Sequence, residues 1–147
     1  MKLKTWKSKY KVIYADPPWH FKSYSSKGDG RNATQHYDCM SISDICKLPV
    51  DRISDNDCVL LMWVVDPMFT GLGYWTRSNP EMCLLATKGK PSRLSKSVRQ
   101  LIHSPRREHS RKPDEIYDRI EQLLPGPYVE LFARRERKGW DSWGNEL

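Results

Sequence analysis

An α/β fold is predicted for this chain by three features: short runs of β-branched and aromatic residues, one clear helical stripe between two of them, and a length of 147 residues that suits one core. The runs fall at residues 11–15, 58–65, 82–87 and 128–133, and the stripe at 113–124. A single domain over residues 1–147 is therefore expected.

Taken in order, Lys11-Val12-Ile13-Tyr14-Ala15 is a buried strand stopped by Asp16-Pro17-Pro18, because proline supplies no ladder donor and fixes its own φ. Residues 22–36 are polar and contain glycine, so they read as a loop. Ser41 or Ser43 can cap a short helix that ends before Pro49. Cys58-Val59-Leu60-Leu61-Met62-Trp63-Val64-Val65 is apolar throughout, as a strand covered on both faces should be. Residues 82–87 form a second such strand. Residues 92–102 fit either a helix, through Leu94, Val98, Leu101 and Ile102, or a strand beginning at Val98. Pro113 suits a first helical turn, with Asp114 and Glu115 favourable to the helix dipole. Ile116, Ile120, Leu123 and Leu124 then recur at helical spacing until Pro125-Gly126-Pro127 stops the helix. A final strand covers residues 128–133.

One stretch resists this scheme. Parallel neighbours need a crossover of about a dozen or more residues, usually helical. Residues 66–81 carry Pro67, Gly71, Gly73 and Pro80 and show no helical stripe. The strands at 58–65 and 82–87 are therefore antiparallel, or not adjacent, or an element is missing between them.

The net charge of +7 is concentrated. Residues 88–112 hold nine basic residues against one acidic, whereas residues 113–147 hold five against eight. Such a segment suits a polyanion, or else is a solvated loop. No apolar run reaches the roughly 18 residues of a membrane span, and no signal-peptide core begins the chain. The four cysteines form no C-x-x-C pair, so no metal is expected. The chain is expected in the cytoplasm with reduced thiols.

Asp16-Pro17-Pro18-Trp19 carries the chemistry. The exocyclic amine of a nucleobase is a poor nucleophile because its lone pair is delocalised into the ring. A carboxylate and a carbonyl accepting its two N–H groups free that lone pair. An acid followed by prolines at a strand tip supplies both on a stiff loop, with the Pro17 carbonyl unpaired and aimed outward. Trp19 offers a face on which an extruded base stacks.

The chain resembles the MT-A70 family of adenine methyltransferases, above all its bacterial and phage DNA-modifying branch. The likeness runs through Tyr14-Ala15-Asp16-Pro17-Pro18-Trp19, Leu61-Met62-Trp63-Val64, Gly73-Tyr74-Trp75-Thr76-Arg77 and Leu84-Leu85-Ala86-Thr87-Lys88-Gly89. It continues through Lys112-Pro113-Asp114-Glu115, Glu130-Leu131-Phe132-Ala133-Arg134 and Gly139-Trp140-Asp141-Ser142-Trp143-Gly144-Asn145-Glu146.

The resemblance implies a Rossmann-like sheet in permuted order, with the catalytic loop first and S-adenosylmethionine as methyl donor. It implies catalytic roles for Asp16, Pro17, Pro18 and Trp19, with Asp16 and Pro17 also touching the donor. Lys88, Glu130, Arg134, Asn145 and Glu146 are implied as further cofactor contacts. Lys88 follows a buried strand, which is expected to set a cation at the carboxyl edge of the sheet. Arg93, Lys96, Arg99, Arg106, Arg107, Arg111 and Lys112 are expected to meet phosphates, with residues 25–31 as a target-side loop.

The chain departs from the family after Met68, where a crossover helix and a strand are normally found. One helix and one strand are expected to be missing, leaving a sheet edge exposed. The expected reaction is methyl transfer to N6 of adenine in DNA. An RNA adenine methyltransferase and an inactive nucleic-acid-binding remnant are the alternatives, and the oligomeric state is not legible.

Overall fold

The computed structural model describes residues 9–20, 38–64, 80–105, 107–108, 111–145 and 147. Among the described residues five strands form one sheet: β1 (Tyr10–Ala15), β2 (Ser54–Val64), β3 (Met82–Lys88), β4 (Tyr128–Leu131) and β5 (Trp140–Trp143), in the order β3-β2-β1-β4-β5. β1 lies at the centre, and all but one of its six residues are buried. β1 runs parallel to β2 and β4, and β4 runs parallel to β5. β3 is antiparallel to β2, which decides among the readings left open for residues 66–81. Residues 65–79, including the join after Met68, lie outside the described residues.

Two layers cover the sheet. On one face α2 (Glu115–Leu123) lays Ile116, Tyr117 and Ile120 against Val12, Tyr14, Val59, Leu61 and Trp63, with Trp140 closing the cluster. This is the predicted stripe with Tyr117 added. The helix begins two residues after Pro113, and Asp114 makes no side-chain cap. Instead Asp114 accepts from Arg107, Arg111 and Arg135. On the other face Leu48, Val50 of a 3-10 turn (Val50–Arg52) and Ile53 pack with Tyr10, Ile13, Cys58, Val129, Leu131 and Trp143, while α1 (Ile42–Cys46) has no buried residue. Ser41 is the cap of α1, its Oγ accepting from the Asp44 amide at 3.1 Å.

Four expectations are corrected. Residues 82–87, read as a strand covered on both faces, form β3, in which only Cys83 is even partly buried, because β3 is an outer strand among the described residues. Residues 92–102 are neither helix nor strand. They run irregularly beside α2, tied by the Leu94 amide to the Leu123 carbonyl at 2.8 Å and by the Arg119 guanidinium to the Leu101 carbonyl at 2.7 Å. Leu94 and Leu101 point to solvent, and of the apparent stripe only Ile102 packs against the α2-side core. β4 ends at Leu131, not residue 133, because Phe132 turns the chain with φ 64°. Finally, β5 is a strand that residue periodicity did not reveal.

Candidate active site

Parallel β1, β2, β4 and β5 end on one edge, so the tips Asp16, Phe132 and Gly144 gather there. Strand pairing continues past the tips: the Asp16 amide reaches the Leu131 carbonyl at 3.5 Å, and the Ala133 amide the Trp143 carbonyl at 2.9 Å. A Cβ on Gly144 would overlap the Ala133 carbonyl, so close approach of these two tips requires glycine. Phe132 carries a left-handed backbone, uncommon for a bulky residue. Its ring stands edge-on to Trp143, with centroids 5.4 Å apart.

A cavity of about 270 Å³ opens at this edge. Its floor is Tyr14, Asp16, Tyr117, Glu130 and Phe132, and its rim is Glu108, Arg111, Lys112, Arg134 and Arg135. Glu130 is buried, Asp16 and Lys112 are half-buried, and Glu108, Arg111, Arg134 and Arg135 are exposed. Burial pushes the Asp16 carboxyl up to about 6, against the opposing pull of Lys112 and Arg134. Lys112 Nζ lies 3.8 Å from Asp16, 2.7 Å from Glu81 and 5.1 Å from the centre of the Trp63 ring. Glu130, 7% exposed, accepts the Tyr117 hydroxyl at 3.0 Å on both oxygens. Burial pushes its carboxyl up to about 7, and that hydrogen bond opposes the rise. Tyr14 accepts from the Trp63 indole at 2.6 Å, and burial holds its hydroxyl protonated.

The loop after β1 is pinned rather than open. The Pro17 carbonyl accepts the Trp19 amide at 2.8 Å, so it is not the unpaired acceptor expected from sequence. The Pro18 carbonyl takes the Met40 amide at 2.8 Å, and the Trp19 indole donates to the Trp63 carbonyl at 3.0 Å. Trp19 is thereby fixed beside the end of β2. Of the tetrapeptide, only Asp16 lines the cavity.

The other predicted residues divide by position. Glu130 and Arg134 are in the cavity. Asn145 is exposed just beyond β5, at the same edge. Lys88 is not brought there. β3 runs opposite to its neighbour, so Lys88 pairs with Cys58 near the start of β2 and donates to Ser54 at 2.8 Å, at the far edge. The rule that places a strand's carboxyl end at the ligand edge presupposes a parallel strand.

Arg93, Lys96 and Arg99 are exposed on the irregular segment. Arg107 pairs with Asp114 and Glu115, and Arg111 with Glu108 and Asp114, so local acids offset both charges. Lys112 turns inward onto Asp16 instead of outward to phosphate. Arg106, Glu146 and the loop at 25–31 lie outside the described residues.

Sequence reasoning missed Tyr14, Tyr117 and Phe132 as site residues. Tyr117 had a legible signal: a tyrosine on the buried side of a helix needs a polar partner, and Glu130 is the buried acid facing it.

Fold and site define an α/β protein with a carboxylate-floored, cation-rimmed cavity at the carboxyl edge of its parallel strands. The MT-A70 family model matches residues 10–70 and 66–146, and the chain belongs to that family. The match divides at residues 66–70, where the sequence departed from the family pattern.

The chain is similar to the type II methyltransferase M.MunI of Mycoplasma sp, 30% identical over 184 aligned positions that cover 96% of this chain and 79% of that protein. It is also similar to a putative N(6)-adenosine-methyltransferase MT-A70-like protein of Medicago truncatula, 31% identical over 95% of the chain. The human N(6)-adenosine-methyltransferase catalytic subunit METTL3 is 27% identical over 95% of the chain. The chain spans 26% and 28% of the length of these last two proteins.

Proposed function

We propose that the protein transfers a methyl group from S-adenosylmethionine to the N6 amine of adenine in DNA. The observation that carries this reading is Asp16, a half-buried carboxylate at the tip of the central strand with a cation beside it. The target base enters beside Asp16, whose carboxylate accepts one N–H of the amine and draws the nitrogen toward a tetrahedral, nucleophilic form. Pinning of the loop by Met40 and Trp63 fixes that carboxylate before substrate arrives, which lowers the entropy cost of alignment. The Pro17 carbonyl keeps a second lone pair for the other N–H.

The cavity suits the methyl donor. S-adenosylmethionine bears a carboxylate, an ammonium, a positive sulfonium and ribose hydroxyls, and it supplies an electrophilic methyl group when bound. Arg134 on the rim matches the carboxylate, and Glu130 on the floor matches a ribose diol or the ammonium. Exposed Asn145 extends that contact beyond β5. Lys112 holds Asp16 in its ionised form, a positioning role that replaces the phosphate contact read from sequence. Exposed Arg93, Lys96 and Arg99 offer phosphate contacts that position a duplex without reading it.

DNA is preferred because M.MunI, the relative of which the chain covers the larger share, is by name a type II methyltransferase. RNA is the second reading, favoured by the N(6)-adenosine-methyltransferase names of the other relatives. A tritiated methyl-transfer assay on matched DNA and RNA separates them. Label on the DNA adenine is expected; label on RNA alone overturns the choice. Titration calorimetry with S-adenosylmethionine adds a check on the donor: heat is expected, and its absence from folded protein favours an inactive remnant.

A further inference from the structure

Among the described residues, β3 is an outer strand of the sheet. Neither of its faces is fully covered: Met82, Leu84 and Leu85 are 50%, 51% and 54% exposed. Leu84 lies beside Met62 on one face and Leu85 beside Leu61 on the other. Edge strands are normally blunted by proline, charge, a bulge or short length. From Met82 to Thr87 the strand has no proline and no charged residue, and all seven of its residues pair with β2 without a register break. The Mycoplasma relative aligns over 184 positions against 147 residues here. The family match divides at 66–70, just ahead of this strand.

We propose that β3 pairs antiparallel with β3 of a second copy, about a two-fold axis normal to the sheet, joining two five-stranded sheets into one. Such an axis preserves the faces of the sheet, so paired residues must share a face. Full overlap of Met82–Lys88 meets that condition. Met82 then faces Lys88, Cys83 faces Thr87, Leu84 faces Ala86, and Leu85 meets its own counterpart on the axis. Charge agrees with this direction. Glu81 precedes the strand, while Lys88 ends it and Lys90 follows. Antiparallel pairing brings the acidic end of each copy to the basic end of the other, whereas parallel pairing sets like against like. One strand pair is a small interface, so the dimer forms with rising concentration rather than permanently. The proposal does not depend on the reading of the cavity.

Sedimentation analysis of the full chain tests it. The expected mass rises with concentration from 17.3 kDa toward twice that value. Leu85→Lys sets two like charges opposite each other on the axis. Because Leu85 is half exposed, the variant should keep its circular dichroism while its dissociation constant rises about tenfold or more. Leu85→Cys should cross-link under mild oxidation, since directly opposed residues stand at about disulfide distance, and peptide mass should map the bridge to the substituted position. If Leu85→Lys does not fold, Leu85→Cys decides. A monomer at every concentration overturns the proposal, as does a dimer that shows no bridge at this position. A monomer whose β3 amides resist hydrogen exchange also overturns it, by seating a segment of the same chain on the edge.

Discussion

Replacing Lys112 by Met should move the pH dependence of methyl transfer toward alkaline pH. Asp16 must be ionised to accept an N–H, and burial has already pushed its carboxyl up to about 6. The Lys112 ammonium, 3.8 Å away, opposes that rise. At an effective dielectric of about 20, a pair at this separation attracts by roughly 4 kcal/mol before competing groups are counted. Glu81 shares the same ammonium at 2.7 Å, which reduces what Asp16 receives. A shift of about 1–2 units is therefore expected when the cation is lost, within the usual range for one opposite charge. Met keeps the apolar stem against Trp63, so packing changes little. The assay is kcat against pH with saturating donor and DNA. The wild-type rate should rise through a midpoint of about 6, and the Met variant through a midpoint of about 7–8. Lys112→Arg should restore the original profile. An unmoved midpoint in the Met variant, with reduced kcat at every pH, would refute the electrostatic role.

Other consequences follow from burial and from the strand tips. Asp16 and Glu130 bind protons more tightly in the folded state, with values of about 6 and 7 against ordinary values of 3.8 and 4.5. Stability is thus greatest below about pH 4 on their account and falls as pH rises through about 6 and 7. Urea midpoints should decline between about pH 5 and pH 8, and Glu130→Gln should flatten the decline; a midpoint that rises over that interval would contradict the burial argument. Ile120, 1% exposed under α2, should cost about 2–5 kcal/mol as Ala, read by urea denaturation. Gly144→Ala must displace the Ala133 carbonyl and so separate the tips of β4 and β5. It should weaken donor binding by calorimetry more than it lowers the melting temperature, and unchanged binding would count against the tips forming the donor site.

Much of the fold was legible because period and punctuation agreed. β1 from Val12 and β2 from Cys58 are apolar runs, although β2 begins four polar residues earlier at Ser54; Pro125-Gly126-Pro127 ends α2 as expected, and Ser41 is one of the two caps foreseen. β5 was not legible. Trp140-Asp141-Ser142-Trp143 is only four residues long, with buried tryptophans at both ends, and its pairing with β4 sets its conformation. Residues 92–102 mimic a stripe by spacing alone; a stripe needs a surface to bury against, and Leu94 and Leu101 have none.

At the site, Asp16 was read from the motif that ends β1, whereas Glu130 and Arg134 came only from the family resemblance; all three line the cavity. Lys88 was misplaced because strand direction is a tertiary property, unreadable from an apolar run. Lys112 was grouped with the phosphate-facing cations because its neighbours are basic. Its inward turn depends on Asp16 and Trp63, far away in sequence.

The central claim is that the Asp16 carboxylate activates an adenine amine. It is tested most directly by comparing the wild type with Asp16→Asn, which keeps size and shape but removes the charge, in donor binding and in methyl transfer to DNA. Donor binding is expected within a few-fold of wild type and transfer reduced about 10²-fold or more, with the wild-type label on N6 of adenine. Transfer by Asp16→Asn at the wild-type rate, or a wild-type label on any other atom, contradicts it.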